Sequence, residues 1–546
     1  MVNFFEHQQQ ARRNTGLLVL LFFLAFTLIV GGVTLVAAFI MGGVSDNGSG
    51  GYTLSLEPLL WVITIVGGGI LVVMLIKWLE LKSGGRVVAE HLGGQLIPTN
   101  TTDPVERRVL NVVEEMAIAA NMPVPDVYIL PNEGNINAFA AGYDTRDAVI
   151  GLTRGAVETF SREQLQGVVA HEYSHILNGD MRLNIRLIAA LAGILAIAHL
   201  GRILLYSGQG SSRSNNNRNA LPLVGIGLMI IGGIGVFFGN VIKSAVSRQR
   251  EYLADAAAVQ FTRNPDALSG ALKQIGAREY GSRVHHRNAD EAAHLFFGEA
   301  LKHWFGMMAT HPPLEKRIKR LEPNWNGHYP EPRKARGRTE DEHQAKSRPR
   351  PEALSKLALL ALPAVLLEQV RSPEQAPRVV HDLVIGQLLQ EPNALLEGLK
   401  PAQQLALVEL AVPAIRQAPE AARLNLLKDL DAMASSQDLF HWGLHQLLAR
   451  QLLPKSRYKA TIDNQQAFDQ TVKALEQTDA GQEVDRENLS LALNTCRGWA
   501  PLAKEKLISQ WLNTVRADGV ISPAERQLVA ILCACIEVPL PDEMMQ

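Results

Sequence analysis

His171-Glu172-Tyr173-Ser174-His175 is the stretch on which the reading of this chain turns. Two imidazoles at i and i+4 lie on one face of a helix, within reach of a single tetrahedral Zn²⁺, and Glu172 lies alongside them. A metallohydrolase needs three protein ligands, an open fourth position and a carboxylate that takes the proton of water as the nucleophile forms. Glu172 fits that last role. The helix has a start signal of its own, because Ser161-Arg-Glu-Gln164 is a capping box, and it is expected to run to about residue 178.

Working outward, Asp103-Pro104 opens a second helix through Ala120, with Asp103 as cap and Pro104 at the first helical position. Short β-type runs, Val127 to Leu130, Asn137 to Ala141 and Ala148 to Leu152, lie between these helices and are separated by turn residues. Two histidines alone leave the metal set incomplete. Glu251-Tyr-Leu-Ala-Asp255 offers a carboxylate pair at i, i+4 where the chain returns from an apolar hairpin. Glu251 is the expected third ligand, and Asp255 is expected to accept the N–H of a ligating His and fix its tautomer. A solvated charged helix face is the competing reading of such a pair. The hairpin between His175 and Glu251 favours the metal reading, since its two ends must lie close together.

The chain has 546 residues, 47% hydrophobic and 20% charged, with 53 Lys plus Arg against 54 Asp plus Glu and a net charge of −1. That balance gives no basic excess, so a nucleic-acid partner is not expected. Three cysteines in a chain of this length make no disulfide framework, and Cys533-Ala-Cys535 lacks the second pair of a zinc module. They read as thiols in a reducing compartment.

Hydropathy is segregated. Leu17 to Met41 is apolar and uncharged, long enough to cross a hydrocarbon core of about 30 Å as a helix, and Leu59 to Leu75 follows it. A cleaved signal peptide is the competing reading of the first run, but its length and the second run favour a retained transmembrane hairpin over residues 1–82. Residues 42–58 carry no Lys or Arg, whereas Lys77, Lys82 and Arg86 flank the second run, which places both hairpin ends in the cytoplasm. Residues 185–242 form a second apolar hairpin, Ile185 to Leu205 and Leu221 to Ile242 around a polar insert, Ser207 to Asn219. Arg186, Arg202 and His199 are costly at membrane depth, so a buried soluble hairpin competes here with a span. Gly235 and Gly239 have the small-xxx-small spacing that lets helices approach closely.

The soluble peptidase-type domain is thus expected in two parts, residues 83–184 and 243–323. Residues 324–352, rich in Pro and charge, read as a linker, and residues 353–546 as a domain of short helices.

Several spaced motifs over residues 1–322 resemble the HtpX-like membrane-embedded zinc metallopeptidases, relatives of the CAAX prenyl protease Ste24. They are Asn137-Ala-Phe-Ala140, Thr153-Arg-Gly155, the stretch from Val169 through the two histidines to Asp180, Glu251 to Asp255, and Thr310-His-Pro-Pro313 followed by Arg317. The resemblance implies a mostly α membrane protein, with an α+β zincin-like metallopeptidase domain, transmembrane hairpins and an all-α C-terminal domain. It implies zinc bound by His171, His175 and Glu251, Glu172 as general base and acid, and an active site facing the cytoplasm at a bacterial inner membrane. It also implies endopeptidase action on polypeptides in membrane-protein quality control. Family members place the segment matching Ala148, Val149, Ile150, Gly151, Leu152 and Thr153 as an edge strand beside the metal, where an extended substrate adds, and Asn137 joins that candidate substrate site; an ordinary core strand is the alternative. His311, before two prolines, is a candidate oxyanion donor or occupant of the open metal position, against a buried structural role. His285, His286, His294 and His303 read as surface or packing residues.

Near the end, Arg516-Ala-Asp518-Gly519-Val-Ile-Ser522-Pro523-Ala-Glu525 resembles the repeat of TerB-like helical domains. Its chemistry is that of a helix start, with Ser522 as cap, rather than of an Asp518/Glu525 metal site. A protein partner for this C-terminal domain is expected on that resemblance. The alternative to a peptidase is a catalytically silent membrane adaptor, with a structural metal and a recruiting C-terminal domain.

Overall fold

The computed structural model describes residues 20, 23–24, 26–35, 44–46, 52–54, 56–81, 84–120, 122–207, 220–278, 282–286, 296–298, 311–333, 362–385, 394–433, 438–453, 461–499, 501–538, 540–541 and 544. His294, His303, Thr310, residues 208–219 of the polar insert, residues 334–352 of the linker and the ends of the first apolar run lie outside them.

All four apolar runs are helical in the described residues. Ile63–Leu81 and Asp180–Tyr206 are long and apolar enough to cross a membrane, and Phe26–Leu35 and Gly225–Phe237 are shorter apolar stretches of helix. Ile29, Val30, Val33, Ile70, Ile194, Ile197 and Leu228 bury one face of these helices in a common core. The outward faces leave Trp61, Ile65, Leu71, Ile76, Ile203 and Ile230 more than half exposed, a pattern that costs free energy in water and none in hydrocarbon. Between the first two helices, strands β1 (Val44–Asp46) and β2 (Tyr52–Leu54) form a short antiparallel hairpin.

In the second hairpin the arms touch at glycines. A Cβ on Gly201 would stand 2.7 Å from the amide nitrogen of Met229, and one on Gly225 2.7 Å from the carbonyl oxygen of Gly201. Gly235 packs on Ile29 and Ile194 instead.

Four strands, β3 (Gln95–Leu96), β4 (Asp126–Leu130), β5 (Ala138–Ala141) and β6 (Val149–Thr153), make one sheet in the order β3-β4-β6-β5. β6 pairs parallel with β4 and antiparallel with β5, so both of its edges are used. This corrects one expectation. Val149, Ile150 and Gly151 belong to an interior strand, buried at every position, with Ala148 buried just before it, and they offer no free edge to a substrate. β5 and β3 are the edge strands. The near-continuous apolar run of β6 is what a strand covered on both faces requires.

One face of the sheet carries the helices Pro104–Ala120 and Arg162–Asn178. Both begin as expected: Asp103 accepts from the amides of Val105 and Glu106 at 2.8 and 3.3 Å. The capping box closes as well, with Ser161 Oγ accepting from the Gln164 amide at 3.2 Å and Gln164 Oε1 from the Ser161 amide at 3.0 Å. Gly179, at φ 70°, ends the second of these helices, and Asp180 begins the next at once.

The C-terminal helices are not separate from this body. Ala364–Arg371, Ala376–Ile385, Pro401–Gln417 and Leu439–Leu452 share a continuous apolar core with the peptidase-type half. Arg371 donates to both carboxylate oxygens of Glu114 and to Asn111 Oδ1, the latter at 2.9 Å, and Gln417 Oε1 accepts from the Thr99 amide at 3.2 Å. Residues 324–333, grouped with the linker by composition, lie on the peptidase-type half as well: Trp325 is buried and Arg333 donates to Gln274 and Gln164. A second core, around Trp442, Trp511, Cys496, Cys533 and Cys535, holds the last helices, and all three cysteines are buried and free. Ser522 and Glu525 form a reciprocal cap with Pro523 inside it, which accounts for that motif as a helix start.

Candidate metal centre

His171 and His175 occupy adjacent turns of the helix Arg162–Asn178, and their Nε2 atoms are 3.2 Å apart. The second hairpin returns the chain alongside. Its second arm is a single helix, Ala220–Thr262, that continues without a break from the apolar stretch to Glu251 and Asp255. Glu251 Oε2 lies 3.5 Å from His171 Nε2, and Oε1 lies 3.5 Å from His175 Nε2. Three donors around a tetrahedral Zn²⁺ with bonds of about 2.1 Å stand roughly 3.4 Å from one another. The three side chains therefore fit a metal ion: one donor atom of each lies within 4.8 Å of the others.

The far side of each imidazole is held. His171 Nδ1 lies 3.0 Å from Asp255 Oδ1 and His175 Nδ1 2.8 Å from Asp180 Oδ2. With a carboxylate beside each Nδ1, the two Nε2 atoms face one point together with Glu251, an arrangement suited to a bound cation. Asp255 was expected in this place from its i+4 spacing to Glu251. Asp180 has no such spacing to a ligand carboxylate. Its signal is Gly179, whose left-handed turn brings the first residue of the next helix back under His175.

Two buried arginines complete the charge balance. Arg317 Nε and Nη2 donate to Asp255 at 2.9 and 2.7 Å, and Nη1 lies 3.2 Å from Glu251 Oε2. Arg250 donates to Asp180. Burial alone pushes the Glu251 carboxyl up, but His311 and Arg317 beside it, with His171 and His175, hold it well below the usual carboxylate range. Sequence reasoning assigned neither arginine a role.

Glu172 is 1% exposed, and neither of its carboxylate oxygens has a hydrogen-bond partner among the described residues. An orphaned buried carboxylate is expensive unless something absent from the polypeptide answers it. Burial pushes its carboxyl up, against the pull of His171 and His175, which suits a group that takes and returns a proton. His311 is 5% exposed, its Nδ1 3.0 Å from Glu251 Oε2, and its Nε2 is buried without a partner among the described residues. Asn137 Nδ2 donates to the carbonyl oxygen of Ser282 at 2.6 Å and to that of Gly298 at 3.2 Å. His285 points its side chain outward, 72% exposed, away from this cluster.

A metal-fitting His-His-Glu set with a buried free carboxylate between its members is the equipment of a metallopeptidase, and the comparisons agree. Residues 104–324 match the model of peptidase family M48. A protease HtpX homolog of Thermoanaerobacter pseudethanolicus is 40% identical over 259 residues, which is 46% of this chain and 81% of that protein.

The chain is an HtpX-like member of peptidase family M48.

A second HtpX homolog, from Bacteroides fragilis, is 32% identical over 332 residues, covering 97% of its own length and 58% of this chain. This M48 chain therefore carries a long part with no counterpart in that relative. No solved structure matches it. Within the M48 match lie all the residues that the geometry brings together: His171, Glu172, His175, Asp180, Glu251, Asp255, His311 and Arg317. The chain is a metalloprotease.

Proposed function

We propose that this protein is an integral membrane zinc endopeptidase that cleaves unfolded or membrane-derived polypeptides on the cytoplasmic side of a bacterial inner membrane, in protein quality control. The four apolar helices and the excess of Lys and Arg after each hairpin support the membrane placement. The observation that carries the catalytic reading is the buried carboxyl of Glu172, without a hydrogen-bond partner among the described residues, beside the His171, His175 and Glu251 cluster.

His171, His175 and Glu251 would hold the zinc. When bound, the metal supplies a Lewis acid that polarises the scissile carbonyl and acidifies water at neutral pH. Glu172 takes the proton of the attacking water and delivers it to the departing amide nitrogen, which balances the step without an outside acid. His311, whose Nε2 has no partner among the described residues, donates to the carbonyl oxygen as negative charge grows on it. Asp255 and Asp180 keep the two imidazoles in the tautomer that presents Nε2.

Glu172→Gln tests the mechanism. It removes the proton acceptor and keeps the shape, so zinc content should persist while cleavage of an unfolded polypeptide falls by about a thousandfold. Unchanged cleavage with zinc retained would remove Glu172 as the proton carrier, and no cleavage by the zinc-loaded, unsubstituted protein would leave the adaptor reading.

A further inference from the structure

β5 is the edge strand on the β6 side of the sheet and packs beside the helix of His171, yet its edge is not free. The Phe297 amide donates to the carbonyl oxygen of Ala138 at 2.7 Å, and Phe296 pairs with Phe139 in an antiparallel bridge. Asn137 grips the next residue at both of its main-chain polar groups: its Oδ1 accepts from the Gly298 amide at 2.9 Å, and its Nδ2 donates to the Gly298 carbonyl oxygen at 3.2 Å. Arg317 Nη1 donates to the carbonyl oxygen of Phe297 at 3.0 Å. Four polar contacts thus hold the main chain of two residues, and none of them reads a side chain.

The Phe297 side chain lies beside the metal cluster, and the Phe296 side chain enters a separate apolar core with Phe139 and Tyr128. The Phe297 ring stands edge-on to His171, with centroids 4.9 Å apart, and beneath the Arg317 guanidinium at 4.8 Å. The Phe296 ring packs on Phe139 at 5.4 Å. Phe296 and Phe297 are each 1% exposed. This is the pattern of β-strand addition, in which main-chain bonds give affinity and alternate side chains enter pockets.

We propose that residues 296–298 are an internal competitor for the substrate strand. They sit on the edge of β5 as an extended, aromatic-rich peptide would, and a polypeptide must displace them to reach Glu172. The resting protein is therefore self-inhibited, and the substrates that open it are extended chains able to place bulky apolar residues in the seats of Phe296 and Phe297. The inference rests on the peptidase reading of the site.

The test uses the full-length Glu172→Gln protein in detergent and a synthetic peptide matching residues 291–300. Bound peptide should raise hydrogen exchange at the Phe297 amide, because it replaces the internal segment. Continued protection of that amide at saturating peptide, or no binding of the peptide, overturns the proposal. In the protein with Glu172 intact, Phe297→Pro deletes the hydrogen donated to Ala138, and kcat/KM for a reduced and alkylated, permanently unfolded polypeptide should rise roughly fivefold. A folded, zinc-loaded variant that is no faster counts against the competitor. Because the exchange measurement needs no turnover, a protein that never cleaves but does release the segment would sink the peptidase reading alone.

Discussion

Arg317 holds Asp255 through two parallel bonds, Nε to Oδ2 at 2.9 Å and Nη2 to Oδ1 at 2.7 Å, with its guanidinium wholly out of solvent. The same guanidinium lies 3.2 Å from Glu251, so one side chain sets the position of one candidate ligand and of the partner of another. Arg317→Lys keeps the charge and loses the fork. Zinc affinity, measured by competition with a chelator, should fall about 10- to 100-fold. Wild-type affinity in a folded variant would remove Arg317 from the metal centre.

Asp180 stands between His175 and Arg250. Asp180→Asn leaves an oxygen able to accept from His175 Nδ1 but removes the charge that makes the imidazole a better donor. Asp180→Ala removes both. Zinc binding should weaken in the order Asn then Ala, by roughly 10-fold and 100-fold. Equal affinities in the two variants would show that charge and orientation at this position do not matter.

The helix of His171 lies close against Pro265–Gly276, and Gly167 makes that possible. A Cβ there would stand 2.8 Å from the Leu268 amide nitrogen and 3.0 Å from the Ala267 carbonyl carbon, both backbone atoms that cannot swing aside. Gly167→Ala gains helix propensity, yet should lose stability by about 1–3 kcal/mol through overpacking. Thermal unfolding in detergent reads the sign; a raised Tm would mean that the two helices separate without cost.

Glu409 lies inside the helix Pro401–Gln417, where burial pushes its carboxyl from 4.5 up to about 8. Between those values the folded protein keeps a proton that the unfolded chain has lost, so stability is fully present below the lower value and falls as pH rises through the upper one. At about 1.4 kcal/mol per pH unit, the loss across the window is on the order of 5 kcal/mol. Glu409→Gln is neutral throughout and should flatten this part of the stability profile between pH 5 and 8. Parallel profiles for the two proteins would contradict it.

Local signals in the sequence were sufficient where the chemistry is local. The capping box, the Asp103-Pro104 start and the i, i+4 spacings of His171 with His175 and Glu251 with Asp255 each depend on residues within one or two turns. Pairing across the sheet does not. Ala148 to Thr153 and Ala138 to Ala141 are both short and apolar, and periodicity does not say which has a neighbour on each side. The structure gives β6 two partners and leaves β5 at the edge. The docking of the C-terminal helices was hidden for the same reason, since Arg371 and Glu114 are 257 positions apart in the chain. Arg317 looked like one more charge in Leu314–Leu321, and only its complete burial marks it as part of the centre.

The unbroken helix Ala220–Thr262 has a mechanical consequence. From Gly225 to Glu251 it is a rod of about 39 Å at 1.5 Å per residue, with one end among apolar side chains and a metal-facing carboxylate near the other. A rod does not absorb a displacement; it hands it on. Sliding the apolar arm by a single residue would carry Glu251 about 1.5 Å along the axis and turn it by about 100°, out of line with both imidazoles. On the proposed membrane placement of this arm, the thickness and lateral pressure of the surrounding lipid would bear on the completeness of the metal centre.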